Sequence, residues 1–528
     1  MKINKYLIFL LFLTAIGFAT RIYKLSSVPA EMHRDEIAIG YNAYSILNTS
    51  RDEYGNGPFP KVFESYGDNK LPGLVYAVIP SIFFFGLNEF SVRLPTALFA
   101  TAMIPLAYLF MYEISKEKKL ALIAAALLTF STWHTFLSRT AYEPIAGLTL
   151  SLLSLLFFLY AKNGKKYYFL SLIFFILSFF FYNISQLLVL PILVIATAIY
   201  RKKRDLRSDL VFLFLIILSV SAVLVFLSTN TKNRVETTIF SSQSKDLESI
   251  NKARLSLHEE GFSPIFSRLL FGPEAHLVEI AAKNYLAAFN PVYLFSSGGN
   301  NAWHNLSGIG LGNINPITGI LFLIGLFQLL KVRNNMSLFL IGYLLLAPIP
   351  DAMTIDAPVT NRLLDLHFAI LLIASFGIFY LLQHSKRLFI NFCFLFSIFY
   401  FQFIARYYLL HSHTLDPQWG EGTKEMATIL KDSQSKYDRI YISDAGISPT
   451  IYSSILFYSE YDPEKLQREA NWFRGNDFHY AVNFSPYELT HLSLAEVEKQ
   501  ASVSAEKSLY VVRRDEGFAE VVIGQRLD

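Results

Sequence analysis

The chain has 528 residues, of which 53% are hydrophobic, 16% aromatic and only 17% charged. That balance excludes an ordinary soluble enzyme and points to a bilayer protein, and a net charge of +4 is too mild to argue for nucleic acid. The single cysteine, Cys393, excludes an intrachain disulfide, so any domain outside the membrane rests on its own core, which fits a prokaryotic envelope protein.

Residues 1–20 place Lys2 and Lys5 ahead of an apolar run. The run leads into Arg21 without an A-x-A-like cleavage site, so it reads as a retained first transmembrane helix. A charged block, His33-Arg34-Asp35-Glu36, then opens a second helical pattern. Asp35 suits the N-cap of a helix beginning near Ile37, with Glu36 in its first turn. Further runs of membrane length lie near 94–114, 120–137, 145–161, 167–182, 187–200, 210–228, 316–331, 336–350, 363–382 and 388–405. Residues 71–87, with Pro80 near the middle, form a shorter apolar stretch.

Whether 71–87 crosses decides the orientation of everything after it. If it does not, the basic clusters at Lys2/Lys5, Lys116–Lys119, Lys162–Lys166, Arg201–Arg207, Lys331/Arg333 and Lys386/Arg387 all share one side. The short loops facing the other way then hold two basic residues, Arg139 and Arg362. This is the positive-inside pattern, so 71–87 reads as a helix on the outer leaflet. The expected architecture is a polytopic α-helical membrane protein of eleven spans, N-terminus in the cytoplasm and C-terminus out. A transmembrane domain covers 1–405, with a long first outer loop at 21–93 and another at 229–315. Residues 406–528 have soluble composition: 437–443, 508–514 and 519–524 read as strands, 421–433 and 449–459 as helices, together a small extracytoplasmic α/β domain.

Ionisable residues recur at the outer ends of these spans: Asp35, Glu36, Asp68, Lys70 and Arg93, then His134, Arg139 and Glu143, then Asp351, Asp356 and Arg362. Each has a plain reading. Arg93 can anchor an interface, Lys70 can snorkel, Arg139 and Glu143 can pair at i,i+4, and His134 after Trp133 can be structural. Together, carboxylates and cations at one depth suit an anionic lipid headgroup and a hydroxyl acceptor. Phosphate takes charge-assisted hydrogen bonds from Arg or Lys, and a carboxylate can accept a hydroxyl proton.

The segments MHRDEIAIGYNAYSIL, YGDNKLPGLVYAVIPSIFFFGLNEFSVRLPTALF and STWHTFLSRTAYEPIAGLTL resemble the first half of the protein O-mannosyltransferase and aminoarabinose transferase superfamily, membrane glycosyltransferases of the C-type fold. The resemblance covers about residues 20–200. FNPVYLFSSGGNNAWHN and LLLAPIPDAMTIDAPVTNRLL are similar to segments of bacterial family-39-type glycosyltransferases. The resemblance implies Asp35 as catalytic base with Glu36 its partner, Lys70 near the donor phosphate, and Arg139 and Glu143 as the second-loop Arg and acidic position. The family's Glu-Lys-Pro-Pro step reads Asn69-Lys70-Leu71-Pro72 here, so the acidic metal ligand of some relatives is missing unless Asp68 substitutes, with His276 the candidate second ligand. No DxD motif stands out, and no cofactor is required, although a divalent metal has these two weak candidate ligands.

The function expected is inverting transfer of a mannose-like or other sugar from a polyprenyl-phosphate carrier to a hydroxyl acceptor on the outer face of the plasma membrane. Asp35 takes the hydroxyl proton; Lys70, Arg139, Arg362 and Arg93 hold the phosphate; Asp68, His134 and Glu143 support them. The alternatives are a lipid-linked sugar transporter or flippase, which should show paired broken helices in repeated halves, and a non-catalytic envelope scaffold.

Overall fold

The computed structural model describes residues 5–66, 68–200, 206–227, 238–240, 251–252, 254–301, 304–410, 423–443, 450–475, 479–491, 496, 499, 507–514 and 517–523. Lys2, the basic run Arg201–Arg204, and Ala302 and Trp303 of the Gly/Asn-rich stretch lie outside the described residues. The chain forms two compact units that do not follow its linear order: Met1–Tyr23, Thr96–Ser138 and Glu143–Leu410 make the first, and Lys24–Pro95, Arg139–Tyr142 and His411–Asp528 the second.

The first unit is helical. A helix stands at the position of every expected span. Among the described residues, six helices are long and apolar enough to cross a membrane: Lys5–Ile22, Glu89–Ser115, Glu143–Asn163, Asn335–Ala352, Thr360–His384 and Lys386–Leu410. The expected run 120–137 is two helices, Lys118–Thr129 and Thr132–Leu137, because Ser131 is extended at φ −76°, ψ 129° and interrupts the turn. The helices Pro316–Val332 and Leu364–His384 approach closely through small residues. A Cβ on Gly325 would overlap the Ile373 carbonyl, and one on Gly377 the Leu321 carbonyl. Arg21, at the end of the first helix, is fully buried and donates to the Gly17 carbonyl at 2.9 Å.

The second unit has at its centre the helix Arg34–Thr49, buried over most of its surface, with Ile37, Ala38, Ile39, Tyr41 and Ala43 all covered. It packs on the helices Pro72–Phe85, Ile451–Tyr458 and Pro463–Glu469. Gly40 brings it against Ile451–Tyr458, since a Cβ there would meet the Phe457 ring. A hairpin follows the helix: β1 (Phe63–Ser65) pairs antiparallel with β2 (Asp68–Lys70). Helix Pro72–Phe85 begins directly after β2, with Leu71 extended as N-cap and Pro72 in the first turn, where its missing N–H has no intrahelical partner to lose. At 14 residues, or about 21 Å, it falls short of the ~30 Å hydrocarbon core.

The C-terminal part carries β3 (Arg439–Ser443), β4 (Asn471–Arg474), β5 (His479–Phe484), β6 (Tyr487–Thr490), β7 (Ser508–Arg514) and β8 (Gly517–Ile523). They form one sheet in the order β4-β5-β6-β3-β7-β8. β3 runs parallel to both β6 and β7, and the outer pairs are antiparallel. Ile440, Tyr441 and Ile442 are buried in succession, the signature of a central strand covered on both faces. The helix Thr423–Ser433 buries Met426, Ala427 and Leu430, one stripe at helical spacing, and packs on Ile451–Tyr458.

Candidate active site

The charged block after the first span sits in the second unit and begins its central helix. That helix starts at Arg34, three residues before the sequence reading put it, so Asp35 is not its cap. His33 is. Its backbone is extended, at φ −63° and ψ 148°, and its Nδ1 accepts from the Asp35 N–H at 3.2 Å. Glu36 completes a capping box by accepting from the His33 N–H at 3.1 Å. An accepting Nδ1 is an unprotonated one, which agrees with the direction of the His33 pKa: burial lowers it, and Asp35 only partly opposes this.

Asp35 and Glu36 are successive residues on a helix and point about 100° apart. Their surroundings differ accordingly. Glu36 has no exposed surface. Its Oε1 accepts from Arg93 Nε at 3.0 Å and from the Ala141 N–H at 2.8 Å, and its Oε2 accepts from Arg93 Nη2 at 3.1 Å as well as from His33. Arg93, also fully buried, spends its remaining donors on the carbonyls of Leu25 (3.1 Å), Pro29 (2.9 Å) and Glu31 (2.7 Å). Arg139 is fully buried too and donates to the carbonyls of Lys24 at 3.1 Å and Val28 at 2.8 Å. Two of the three arginines expected at a phosphate, Arg93 and Arg139, therefore tie down the loop 24–31 beside Glu36.

Asp35 faces a more open space. Its Oδ2 lies 3.3 Å from Lys70 Nζ, with side-chain exposures of 22% and 15%. Lys70 is the last residue of β2, so the hairpin and the helix start meet at this pair. Burial alone would push the Asp35 carboxyl up, but Lys70 first, then His33 and Arg34, outweigh it and hold the group well below the usual carboxylate range. The ring of His33 lies 5.9 Å from that of Tyr142. The site thus offers an ionised carboxylate beside an ammonium, both partly open to solvent, on a frame of buried ion pairs.

Asp68 lies on β2 opposite Ser65, and its side chain is outside the described residues. The other expected site residues belong to the first unit. His134 is fully buried, with Nδ1 2.7 Å from Arg21 Nη2. Glu143 stands in the first turn of the helix Glu143–Tyr160, where a carboxylate suits the positive end of the helix dipole. Arg362 donates to Asp356 at 2.5 Å and to the Thr354 hydroxyl at 2.8 Å. His276 lies 3.8 Å from Glu279 on its own helix. Among the described residues, no three His, Cys, Asp or Glu side chains gather as a metal site.

Residues 11–179 match the family model described as dolichyl-phosphate-mannose-protein mannosyltransferase. Among solved structures, ArnT from Cupriavidus metallidurans bound to undecaprenyl phosphate superposes with a TM-score of 0.53 at 10% identity, over 98% of this chain and 99% of that one. Its apo state gives 0.53 at 9%, over 97% and 94%. The fold is that of a C-type membrane glycosyltransferase. The C-type oligosaccharyltransferase of Archaeoglobus fulgidus, tethered with an acceptor peptide, gives a TM-score of 0.50 at 14% identity over 87% of this chain, which spans 63% of that protein's length. No curated protein matches the sequence. Within this C-type fold, the motif residues of the first loop and the sheet-bearing tail share one unit.

Sequence reasoning singled out Asp35, Glu36 and Lys70, which lie in one unit; it did not name His33 as the cap, Tyr142 beside it, or the buried Arg21. His33-x-x-Glu36 was the available signal: it is the spacing of a capping box with His in place of Ser or Thr.

Proposed function

We propose that the protein transfers a sugar from a polyprenyl-phosphate carrier to a hydroxyl acceptor at the outer face of the membrane. Three observations support this: the match of residues 11–179 to a mannosyltransferase family model, the C-type fold, and the Asp35–Lys70 pair at 3.3 Å. The pair carries the reading, because it sets a proton acceptor beside a phosphate-binding cation.

In this mechanism the acceptor O–H gives its proton to Asp35 as the oxygen attacks the anomeric carbon. The bond from that carbon to the carrier phosphate breaks, and the phosphate leaves as an anion. A single displacement inverts the anomeric centre. A leaving lipid phosphate is already ionised near neutral pH, so it needs no general acid. Lys70 turns from Asp35 toward the phosphate and stabilises the charge growing on its oxygen, a contribution of ~3–4 kcal/mol for one such donor. Moving the ammonium away also raises the basicity of Asp35, so a bound donor sharpens the base that uses it. Glu36, Arg93 and Arg139 act through the backbone, holding the loop and the helix start. The basic clusters between spans put the N-terminus in the cytoplasm and this site outside.

The test is a panel of radiolabelled polyprenyl-phosphate sugars incubated with the purified protein. Asp35→Asn is expected to abolish transfer while donor binding persists, and Lys70→Ala to weaken donor binding. An active Asp35→Asn protein removes Asp35 as the base.

A further inference from the structure

Tyr66 lies in the turn between β1 and β2, at φ 55° and 6% exposed. Its hydroxyl donates to the Arg34 carbonyl at 3.1 Å, and Ser453 Oγ is 2.6 Å away. Ser453 has one hydroxyl proton and two acceptors in reach, the tyrosine oxygen and the Thr450 carbonyl at 2.7 Å; donated to the tyrosine, that proton completes a relay ending on the residue that precedes Asp35. The ring is held as well. It meets Tyr452 edge-on at 5.9 Å, and the Arg34 guanidinium lies over it at 5.8 Å. Ser453 is fully buried on the helix Ile451–Tyr458, far along the chain from the other two.

The Tyr66 bond therefore joins the same two elements as the Asp35–Lys70 ion pair. Asp35 follows Arg34 in the first helical turn, and Lys70 ends the strand that leaves the Tyr66 turn. An ion pair between partly open side chains fixes little by itself, since such pairs carry modest energy and long side chains keep their freedom. A buried tyrosine with both hydroxyl contacts made is a stiffer link.

We propose that Tyr66 and Ser453 are positioning residues, and that the C-terminal segment, through Ser453, sets the spacing of Asp35 and Lys70. The inference rests on the catalytic reading above. It gives the tail a part in the chemistry. Small displacements matter at such a site: a misplacement of ~1 Å can cost about a hundredfold in rate.

The experiment uses the full-length protein in nanodiscs, with a polyprenyl-phosphate sugar that the wild type turns over. Tyr66→Phe and Ser453→Ala are each expected to lower kcat about tenfold, with the donor KM within about twofold. The double variant should lose no more than the worse single one, since both break one relay. Ser453→Thr, which keeps the hydroxyl, should recover most of the rate. Hydrogen exchange over residues 34–38 should quicken in both hydroxyl-deleting variants, and Tyr487→Phe, another buried tail tyrosine, should change neither reading. Wild-type kcat in Tyr66→Phe or Ser453→Ala, while Asp35→Asn is dead, overturns the positioning role and leaves the catalytic reading intact. A loss that Ser453→Thr fails to restore, or that Tyr487→Phe reproduces, also overturns it. Turnover by Asp35→Asn overturns the catalytic reading and this inference with it.

Discussion

Asp35 and Glu36 are adjacent carboxylates whose tasks are divided by burial. Glu36 accepts four hydrogen bonds and has no face left for a ligand. Removing its cation should leave a charge stranded in the interior. Arg93→Met is expected to destabilise the protein by ~3–5 kcal/mol, whereas Glu36→Gln with Arg93→Met should recover part of that loss, because no uncompensated charge remains. Chemical denaturation in detergent micelles measures both. Glu53 is a second buried carboxyl. Its Oε1 accepts from Asn42 Nδ2 at 3.2 Å, and its Oε2 has no hydrogen-bond partner among the described residues. Burial, reinforced by Asp52 and Glu64, pushes its pKa from 4.5 up to about 8. Between those values the native state holds a proton that the unfolded state has lost. Stability therefore falls as pH rises from about 4.5 to 8, by up to ~1.4 kcal/mol per pH unit from this group. Glu53→Gln should flatten that slope and gain on the wild type toward pH 8. An unchanged pH dependence of the melting midpoint would remove Glu53 as its source.

Among the elements, the helix pair Pro316–Val332 and Leu364–His384 depends on two missing side chains. Gly325→Ala and Gly377→Ala would each place a methyl group on a facing carbonyl oxygen, where backbone must move rather than a rotamer. Overpacking of that kind costs ~1–3 kcal/mol, so each substitution should lower the melting midpoint, while Gly164→Ala tests the helix-ending turn, where a Cβ meets nothing within 4 Å but φ is 154°. The elements also show what a sequence conveys and what it withholds. Periodicity over long apolar runs located a helix at each expected position, because hydrophobic length is a local property. It missed the interruption at Ser131, since a break between two apolar helices leaves the hydropathy unchanged. The strands at 439–443 and 508–514 were legible from β-branched and aromatic runs; β5 and β6 were not, because His479, Asn483 and Glu488 dilute the alternation, and β4 is only four residues long. At the site, the types of Asp35 and Lys70 were legible and their meeting was not. Arg93 and Arg139 carried the right charge for a phosphate, yet Arg93 is taken up by Glu36 and three backbone carbonyls, and Arg139 donates to two more, partners that no motif announces.

For the whole molecule, orientation is the property with the broadest reach. The clustered lysines predict that Lys118 faces the cytoplasm and Gln434 the outside. In a Cys393→Ser background, Gln434→Cys should react with an impermeant maleimide in intact cells, and Lys118→Cys only after lysis. The reverse pattern would move the Asp35 site to the cytosolic face. The division of the chain adds something that orientation does not. The helix bearing Asp35 leaves the ribosome about four hundred residues ahead of Ile451–Tyr458 and Pro463–Glu469, the helices on which it packs. During synthesis that helix waits with an apolar surface uncovered while the intervening spans are threaded into the bilayer. Its carboxylate gains its final setting only once Ile451–Tyr458 and Pro463–Glu469 have been made, so a product cut short before them lacks the packing that surrounds Asp35.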